Sequence, residues 1–287
     1  MATLREIRRR IKSVENIKQI TKSMEMVAAA RLHKAALKAE QTGLFSRKME
    51  EVLNHVLESS EQLTHPFFEK RKDDNIGLLI VGADRGLSGS YNSNLFAAID
   101  RFLEKYDKEK VKLYIFGKKA LEHYERRKWN IPLTQLDWGG KTTFKDIKKI
   151  SDLLFTSFLS YEFNELWMAS TRYISIFNRK VVIEKFLPLK KSPREKDKQS
   201  VDFVFEPRVE ELLQELITRF YLAKIQAALD ESYAAELAAR VVSMGSATKN
   251  AEDMIHKLTL IRNKVRQASI TKEMLEISAS VEGMSGR

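Results

Sequence analysis

Residues 209–265 read VEELLQELITRFYLAKIQAALDESYAAELAARVVSMGSATKNAEDMIHKLTLIRNKV and contain no proline. Steps of alternately four and three residues along this stretch meet apolar side chains, and only Asp230, Thr248 and Arg262 interrupt the series. An apolar stripe with seven-residue spacing winds slowly around a straight helix, which has 3.6 residues per turn. The helix must therefore supercoil around a partner to keep this stripe, which we call the seam, buried. The stretch therefore predicts a coiled coil, and its alanines favour close approach of the partner helix.

The partner helix is predicted at the start of the same chain. From Leu4 to about Leu63 there is no proline and a single glycine, and apolar residues recur every three or four positions. These residues are Leu4, Ile7, Ile11, Val14, Ile17, Ile20, Met24 and Val27. The pattern predicts one long amphipathic helix, which can pair antiparallel with the C-terminal helix if the residues between them fold at one end.

The two predicted helices differ in length. Roughly 60 residues face roughly 75, so about 15 to 20 residues at the C-terminal end lack a partner in this chain. The four-three register also fails after Val265, and the apolar residues that follow form a displaced stripe of Ile270, Met274, Ile277 and Val281. A lone helix of this composition is poorly stable in water, and we expect another protein to enclose it.

The residues between the helices have the pattern of an α/β domain. Ile76–Val81 and Val111–Phe116 are short apolar runs typical of buried strands, and each precedes a glycine-bearing turn and a helical stretch. Helices are predicted at 93–106, 118–127 and 144–161, later strands at 166–177, 180–187 and 201–205, and a mobile loop at 188–200. Repeated strand, turn and helix predict a small Rossmann-like sheet with antiparallel additions.

The predicted fold class is thus α+β/α/β, with a long antiparallel two-helix coiled coil and a central Rossmann-like domain. Its parts are a shaft helix at 1–63, the α/β domain at 75–207 and a second shaft helix at 208–287. The α/β sheet order is left open.

Composition excludes several kinds of chemistry. The chain has no cysteine, which excludes disulfides, zinc–thiolate sites and a thiol nucleophile. None of its five histidines lies in a metal-binding spacing, and neither a P-loop nor a G-x-S-x-G motif is present. No apolar run approaches the ~20 residues that span a bilayer, and the N-terminus lacks the apolar core of a signal peptide. We expect no metal, no cofactor and no membrane insertion.

The net charge of +11 is unevenly distributed. Residues 1–40 hold ten Lys and Arg against four acids, whereas residues 208–287 hold eleven of each. A basic helix suits nucleic acid, an acidic membrane or an acidic protein surface. As a nucleic-acid-binding protein the chain would lie on phosphates in a salt-dependent manner, but stacking aromatic residues are missing from its basic helix and the C-terminal helix is neutral.

The loop VGADRGLSGSYN at 81–92 has two interpretations. Its backbone N–H groups could hold a phosphate at the start of the next helix, as in a nucleotide-dependent enzyme. The spacing is not G-x-G-x-x-G, however, and no acidic residue ends the second strand. The other interpretation is a tight turn in which Asp84 and Arg85 bond one another or the backbone.

Four stretches together resemble the gamma subunit of F-type ATP synthases. They are IRRRIKSVENIKQITKSMEMVAAARL at 7–32, DRGLSGSYN at 84–92, AAELAARVVSMGSATKNA at 234–251 and RQASITKEMLEI at 266–277. The resemblance implies a non-catalytic rotor shaft that turns inside a ring of three alpha and three beta subunits, with one copy per complex. It implies an α/β domain beside epsilon and the c-ring at the cytoplasmic face of a bacterial inner membrane, and no nucleic-acid partner.

The resemblance also implies roles for individual residues. Met24 would pass the acidic loop of a beta subunit and take part in coupling. Phe205 and Glu206 would rest on the c-ring. Contacts with the alpha/beta ring are implied for Arg8, Arg9, Lys18, Lys22, Arg240, Gln267, Thr271 and Glu273, with Arg10 and Lys12 in the same basic cluster. Ser88 stands where the family often has cysteine, and thiol regulation is excluded.

Overall fold

The computed structural model describes residues 3–59, 65–69, 71, 74–189 and 209–285. The chain divides into two compact units, one made of Met1–Val27 with Val241–Arg287 and the other of Ala28–Arg240. The long helices α1 (Leu4–Ser59) and α5 (Val209–Ser285) each contribute to both units. The predicted fold class, long terminal helices around a sheet domain, is confirmed.

In the first unit, α1 and α5 run antiparallel. Lys18 Nζ lies 2.9 Å from Glu252 Oε1, and the hydroxyl oxygens of Thr21 and Thr248 are 2.9 Å apart. The partner number falls along α5 as the number rises along α1, which confirms the predicted antiparallel pairing. The Thr248 interruption of the seam is thereby explained, since its buried hydroxyl bonds across the pair and donates to the Met244 carbonyl.

One part of the predicted α1 stripe is wrong. Ile7 and Ile11 are buried, but Ile17, Ile20 and Val27 are 50%, 59% and 52% exposed. The cause is geometric. Alternating steps of four and three residues that begin at Ile7, Ile11 and Val14 continue to positions 18, 21, 25 and 28. Ile17, Ile20 and Val27 are not on this series and lie beside the seam. Between Val14 and Ala28 the seam is therefore polar, and an apolar strip lies on the surface next to it.

Among the described residues of the first unit, none pairs with the end of α5. The pairing set by Lys18 and Glu252, carried back to Leu4 at the start of α1, ends near Arg266. Val265 is half-buried, and every residue from Arg266 to Ala279 is exposed. The sequence arithmetic that predicted an unpaired C-terminal stretch is confirmed.

The second unit contains the sheet. Its strands are β1 (Ile76–Val81), β2 (Val111–Phe116), β3 (Asn130–Gln135), β4 (Glu165–Tyr173) and β5 (Arg179–Leu187). The order is β3-β2-β1-β4-β5, with β1 to β4 mutually parallel and β5 antiparallel to β4. Strands β1 and β2 lie where the apolar runs predicted, and β4 joins the parallel layer rather than the antiparallel additions. The predicted strand at 201–205 lies outside the described residues.

Helices cover both faces of this sheet, which explains why β1 is buried throughout. The covering helices are α2 (Tyr91–Leu103), α3 (Lys118–Glu125) and α4 (Phe144–Leu159), together with parts of α1 and α5. Ile76, Leu78 and Ile80 pack with residues of α2 and α3 on one face. Leu79 and Val81 point the other way, to a core shared by α1, α4 and α5. The period of two along β1 thus divides the core in two.

Sequence reasoning missed β3, for a physical reason. It is an edge strand whose residues alternate between exposed and half-buried, so it has no continuous apolar run. Pro132 stands within it, and the pairing with β2 shifts register at that point, because proline has no N–H for the ladder. Two short 3-10 turns, Pro66–Phe68 and Lys108–Lys110, complete the described elements.

Two glycines give a prediction with a matched control. Gly117 has φ +95°, and an added Cβ would collide with the backbone carbonyl of Gly82, whereas a Cβ on Gly86 would meet nothing within 4 Å. We expect Gly117→Ala to lower the free energy of unfolding by about 2–4 kcal/mol and Gly86→Ala to change it by under about 0.5 kcal/mol. Urea denaturation followed by circular dichroism measures both, and equal effects would contradict the assigned strain.

Candidate functional site

The basic residues near the start of α1 are presented at the surface. Arg8 and Arg9 are exposed, as are Arg10 and Lys12, and none of the four forms an ion pair with another described residue. Lys18 differs because it pairs with Glu252, and Lys22 lies 3.3 Å from Glu25 on its own helix. Arg5 is likewise exposed without an ion pair to a described residue, so five cations in this described part of α1 are free, while Lys18 and Lys22 are already partly neutralised.

Met24 lies at the margin of the helix pair. It is half-buried, whereas Ile17, Ile20 and Val27 are exposed. A single Met can thus belong to the seam and still reach a partner, as the sequence interpretation allowed. The apolar strip of Ile17, Ile20 and Val27 was not recognised as a surface from the sequence, since its spacing resembles that of the seam. The sequence signal that could have revealed this surface is that, after Val14, the apolar residues no longer follow alternating steps of four and three residues.

The unpaired end of α5 carries three of the sequence-predicted contact residues, Gln267, Thr271 and Glu273, all exposed. The Thr271 hydroxyl donates to the Gln267 carbonyl at 3.0 Å, so it is bonded within the helix. Large apolar side chains surround them, and these are Ile270, Met274, Leu275 and Ile277, each 49% to 65% exposed. We call residues 266–279 the tip.

Arg240 is placed differently, in the second unit. Its side chain is only 13% exposed and forms an ion pair with Glu236, and it donates to the Gly86 carbonyl at 3.3 Å. Burial raises the pKa of the Glu236 carboxyl, although Arg240 beside it acts in the opposite direction. The guanidinium thus joins α5 to the loop after β1, and a contact of Arg240 with another subunit stays a prediction. Phe205 and Glu206 lie outside the described residues.

The loop at 81–92 is held by Asp84. Its carboxylate accepts hydrogen bonds from the backbone N–H groups of Lys118, Asp137 and Gly139, at 3.1, 3.0 and 3.2 Å. The turn interpretation, in which Asp84 bonds the backbone, therefore describes this residue. It fixes the segments that follow β1, β2 and β3 side by side.

A cleft of about 500 Å³ opens beside these segments. It is lined by Arg31, Lys34, Ala35, Lys38, Asp84, Arg85, Asp137, Gly139, Gly140, Lys141, Asp230, Tyr233, Glu236 and Arg240. No cluster of three or more potential metal ligands occurs within the described ranges. None of the helices in those same ranges has an apolar stretch long enough to cross a bilayer.

Comparison with solved structures identifies the same fold in ATP synthases. A chain of the Euglena gracilis mitochondrial ATP synthase, OSCP/F1/c-ring, rotational state 3, has a TM-score of 0.69 and 18% identity, covering 98% of this chain and 94% of that one. A chain of the Tetrahymena thermophila mitochondrial ATP synthase central stalk and c-ring has a TM-score of 0.60 and 19% identity, covering 79% of this chain and 99% of that one.

Sequence comparison is more specific. The family profile described as ATP synthase matches residues 3–284. The ATP synthase gamma chain of Protochlamydia amoebophila (strain UWE25) is 45% identical over 284 residues, which are 99% of this chain and 100% of the relative. That of Desulforamulus reducens is 36% identical over 277 residues, 96% of this chain and 97% of the relative. The chain belongs to the family of ATP synthase gamma chains.

Proposed function

We propose that this chain is the central-stalk rotor subunit of an F-type ATP synthase and transmits torque between a membrane c-ring and the catalytic sites of an alpha/beta ring. The family match over residues 3–284 supports this function. The observation that best supports this function is the tip, where α5 extends beyond its partner helix. The tip exposes apolar side chains that suit enclosure by other subunits.

The proposed partners are the alpha, beta and epsilon subunits and the c-ring, with one copy of this chain per complex. The chain itself supplies no catalytic group, and it attaches peripherally at the cytoplasmic face of the bacterial inner membrane. The exposed cations Arg8 and Arg9 suit acidic surfaces of the ring, and the apolar strip of Ile17, Ile20 and Val27 adds a second contact surface on the same helix. Phe205 and Glu206 are assigned to the c-ring by resemblance alone.

The mechanism is allosteric and needs no chemistry from this chain. A rotor can shift a catalytic site between open and closed forms only if each angle interacts with the two forms with different free energy. The helix pair meets this requirement if its surface differs from side to side. The apolar strip of Ile17, Ile20 and Val27 lies on one side of α1, beside the inward-facing paired residues, and the exposed cations lie nearer the start of the helix.

The surface of the tip suits rotation inside the surrounding subunits. Large exposed apolar side chains surround its predicted contact residues, and Lys272 and Glu276 pair with each other along the helix at 3.6 Å. Because these two charges neutralise each other within the helix, they form fewer specific ion pairs with the surrounding subunits. Fewer rotation angles of the shaft are then energetically preferred over others.

The tip gives the first test of this function. Replacing Met274 and Ile277 by serine removes about 2–3 kcal/mol of apolar burial, which corresponds to roughly 30- to 150-fold weaker binding in the ring. We expect the double variant to lose most of its co-purification with alpha and beta chains. The control is Lys272→Ser with Glu276→Ser, which removes an exposed pair worth under about 1 kcal/mol and leaves co-purification unchanged.

In the unchanged protein, the co-purified alpha and beta chains are expected to outnumber this chain three to one. Failure to recover them, or recovery of a different enzyme, would contradict the rotor function. Full retention of the Met274 and Ile277 variant would contradict only the role of the tip.

Met24 gives a test of coupling. We expect Met24→Lys to pair with the acidic beta loop and favour one angle by about 1 kcal/mol, roughly a fivefold change in population. The protons pumped per ATP hydrolysed by membrane vesicles should then fall, with ATP hydrolysis retained. Met26→Lys is the control, because it adds the same charge about 200° further around the helix. A ratio equal to that of the unchanged protein would refute the role of Met24.

A further inference from the structure

The cleft of the second unit lies where parallel α/β sheets bind ligands. Its walls include Asp84 and Arg85, which follow the carboxyl end of β1, and residues 137–141, which follow the carboxyl end of β3. The strand order β3-β2-β1-β4 is that of doubly wound folds, whose ligands bind outside the carboxyl ends of the strands at the switch point, here between β1 and β4. The cleft lies at the same edge of the sheet but beside β1 and β3. A volume of about 500 Å³ is within the range of small-molecule sites.

The walls of the cleft are fixed by bonds within the chain. Asp84 holds the backbone of residues 137 and 139, and Trp138 Nε1 donates to the Gly82 carbonyl at 3.2 Å. Gly140 lies so close to the ring of Tyr233 that a Cβ there would collide with it. The loop after β3 is therefore held against both the loop after β1 and helix α5, and a ligand would meet a prepared surface.

The charges of the lining are unequal. Six cationic side chains face four carboxylates. Lys38 is paired with the buried Asp230 at 2.8 Å, and Arg240 is paired with Glu236. Asp84 is engaged by three backbone amides, and Arg85 is close enough to lower the pKa of Glu236 as a minor influence.

After these pairings, the lining still holds the carboxylate of Asp137 and four cations that outnumber it, Arg31, Lys34, Arg85 and Lys141. All four are exposed, and none forms an ion pair within the described part of the chain. Two come from one turn of α1 and two from the loops that follow β1 and β3. Three separate segments thus place cations around the same cleft. A run of charged residues on the solvent-exposed face of a single helix would not do this.

We infer that this cleft binds a small phosphate-bearing anion through Arg31, Lys34, Arg85 and Lys141. Guanidinium groups match phosphate oxygens with paired N–H donors, and ammonium groups add compact charge. Orthophosphate and the phosphate chain of a nucleotide share this chemistry. The inference goes beyond torque transmission and does not depend on it, because the site lies on this chain alone.

The test uses the purified full chain without alpha or beta subunits. Equilibrium dialysis with orthophosphate, pyrophosphate and ATP is expected to give saturable binding at one site. Arg31→Gln with Lys34→Gln, and separately Arg85→Gln with Lys141→Gln, should each weaken binding by about tenfold or more. All four positions are exposed, and circular dichroism verifies that the variants fold.

The matched control is Lys145→Gln with Lys148→Gln, two exposed lysines of α4 that do not line the cleft. It removes the same charge and should leave binding within about twofold. Equal binding of orthophosphate and ATP would identify the phosphate group as the ligand, and tighter binding of ATP and pyrophosphate would identify the phosphate chain. Either result supports the inference.

Three results would overturn the inference. The first is the absence of saturable binding for all three compounds, and the second is equal weakening in the control variant. The third is binding of a glutamate-rich peptide at the cleft cations without binding of any phosphate compound, which would assign these cations to an acidic protein segment. None of these results bears on co-purification with alpha and beta chains, so the rotor function is tested separately.

Discussion

Burial of a four-three seam between antiparallel segments of α1 and α5 is the constraint on which the other features depend. It requires two long helices without proline, and it requires small side chains wherever the helices approach closely. Ala28, Ala35 and Ala39 on α1, and Ala227 and Ala234 on α5, are all buried. Short side chains contribute little apolar area each, so the seam gains stability from its length and from close backbone packing rather than from bulky residues.

Polar residues in the seam have partners, which explains why they do not break it. Asp230 is buried, yet its carboxylate meets Lys38 Nζ at 2.8 Å and Gln226 Nε2 at 2.7 Å. Thr248 shares a hydrogen bond with Thr21. A shift of one heptad that brings Phe45 opposite Asp230 would bury this charge without a cation, at a cost of several kcal/mol. The opposite shift brings Arg31 there, and it is disfavoured by the loss of the Thr21–Thr248 hydrogen bond. These interruptions therefore favour one register over its neighbours.

Much of this fold was predictable because its signals are long and periodic. The C-terminal helix, the antiparallel pairing, the start of the unpaired tip and strands β1 and β2 all follow from the spacing of apolar residues. The edge strand β3 was missed because Pro132 and alternating exposure hide it, and Ile17, Ile20 and Val27 were misplaced because three-residue steps resemble seam spacing. The cleft could not be predicted, since Arg31, Arg85 and Lys141 are far apart in sequence and meet only through the folded sheet. The predicted contact residues Gln267, Thr271 and Glu273 could be placed only as far as their exposure.

The surface of the helix pair in the first unit follows from a conflict between two patterns in the same helix. Between Val14 and Ala28, heptad geometry assigns the seam to Lys18, Thr21 and Glu25, whereas the apolar residues lie to the side. Exposed ion pairs such as Lys18–Glu252 contribute under about 1 kcal/mol, so this stretch gains little stability from its own pairing. Each exposed apolar residue beside it would gain about 1–2 kcal/mol if another surface covered it. The same argument applies to the tip, where the partner helix is absent. A shaft of this kind gains further stability where other subunits cover these apolar residues, and this is the energetic requirement for a rotor that senses the subunits around it.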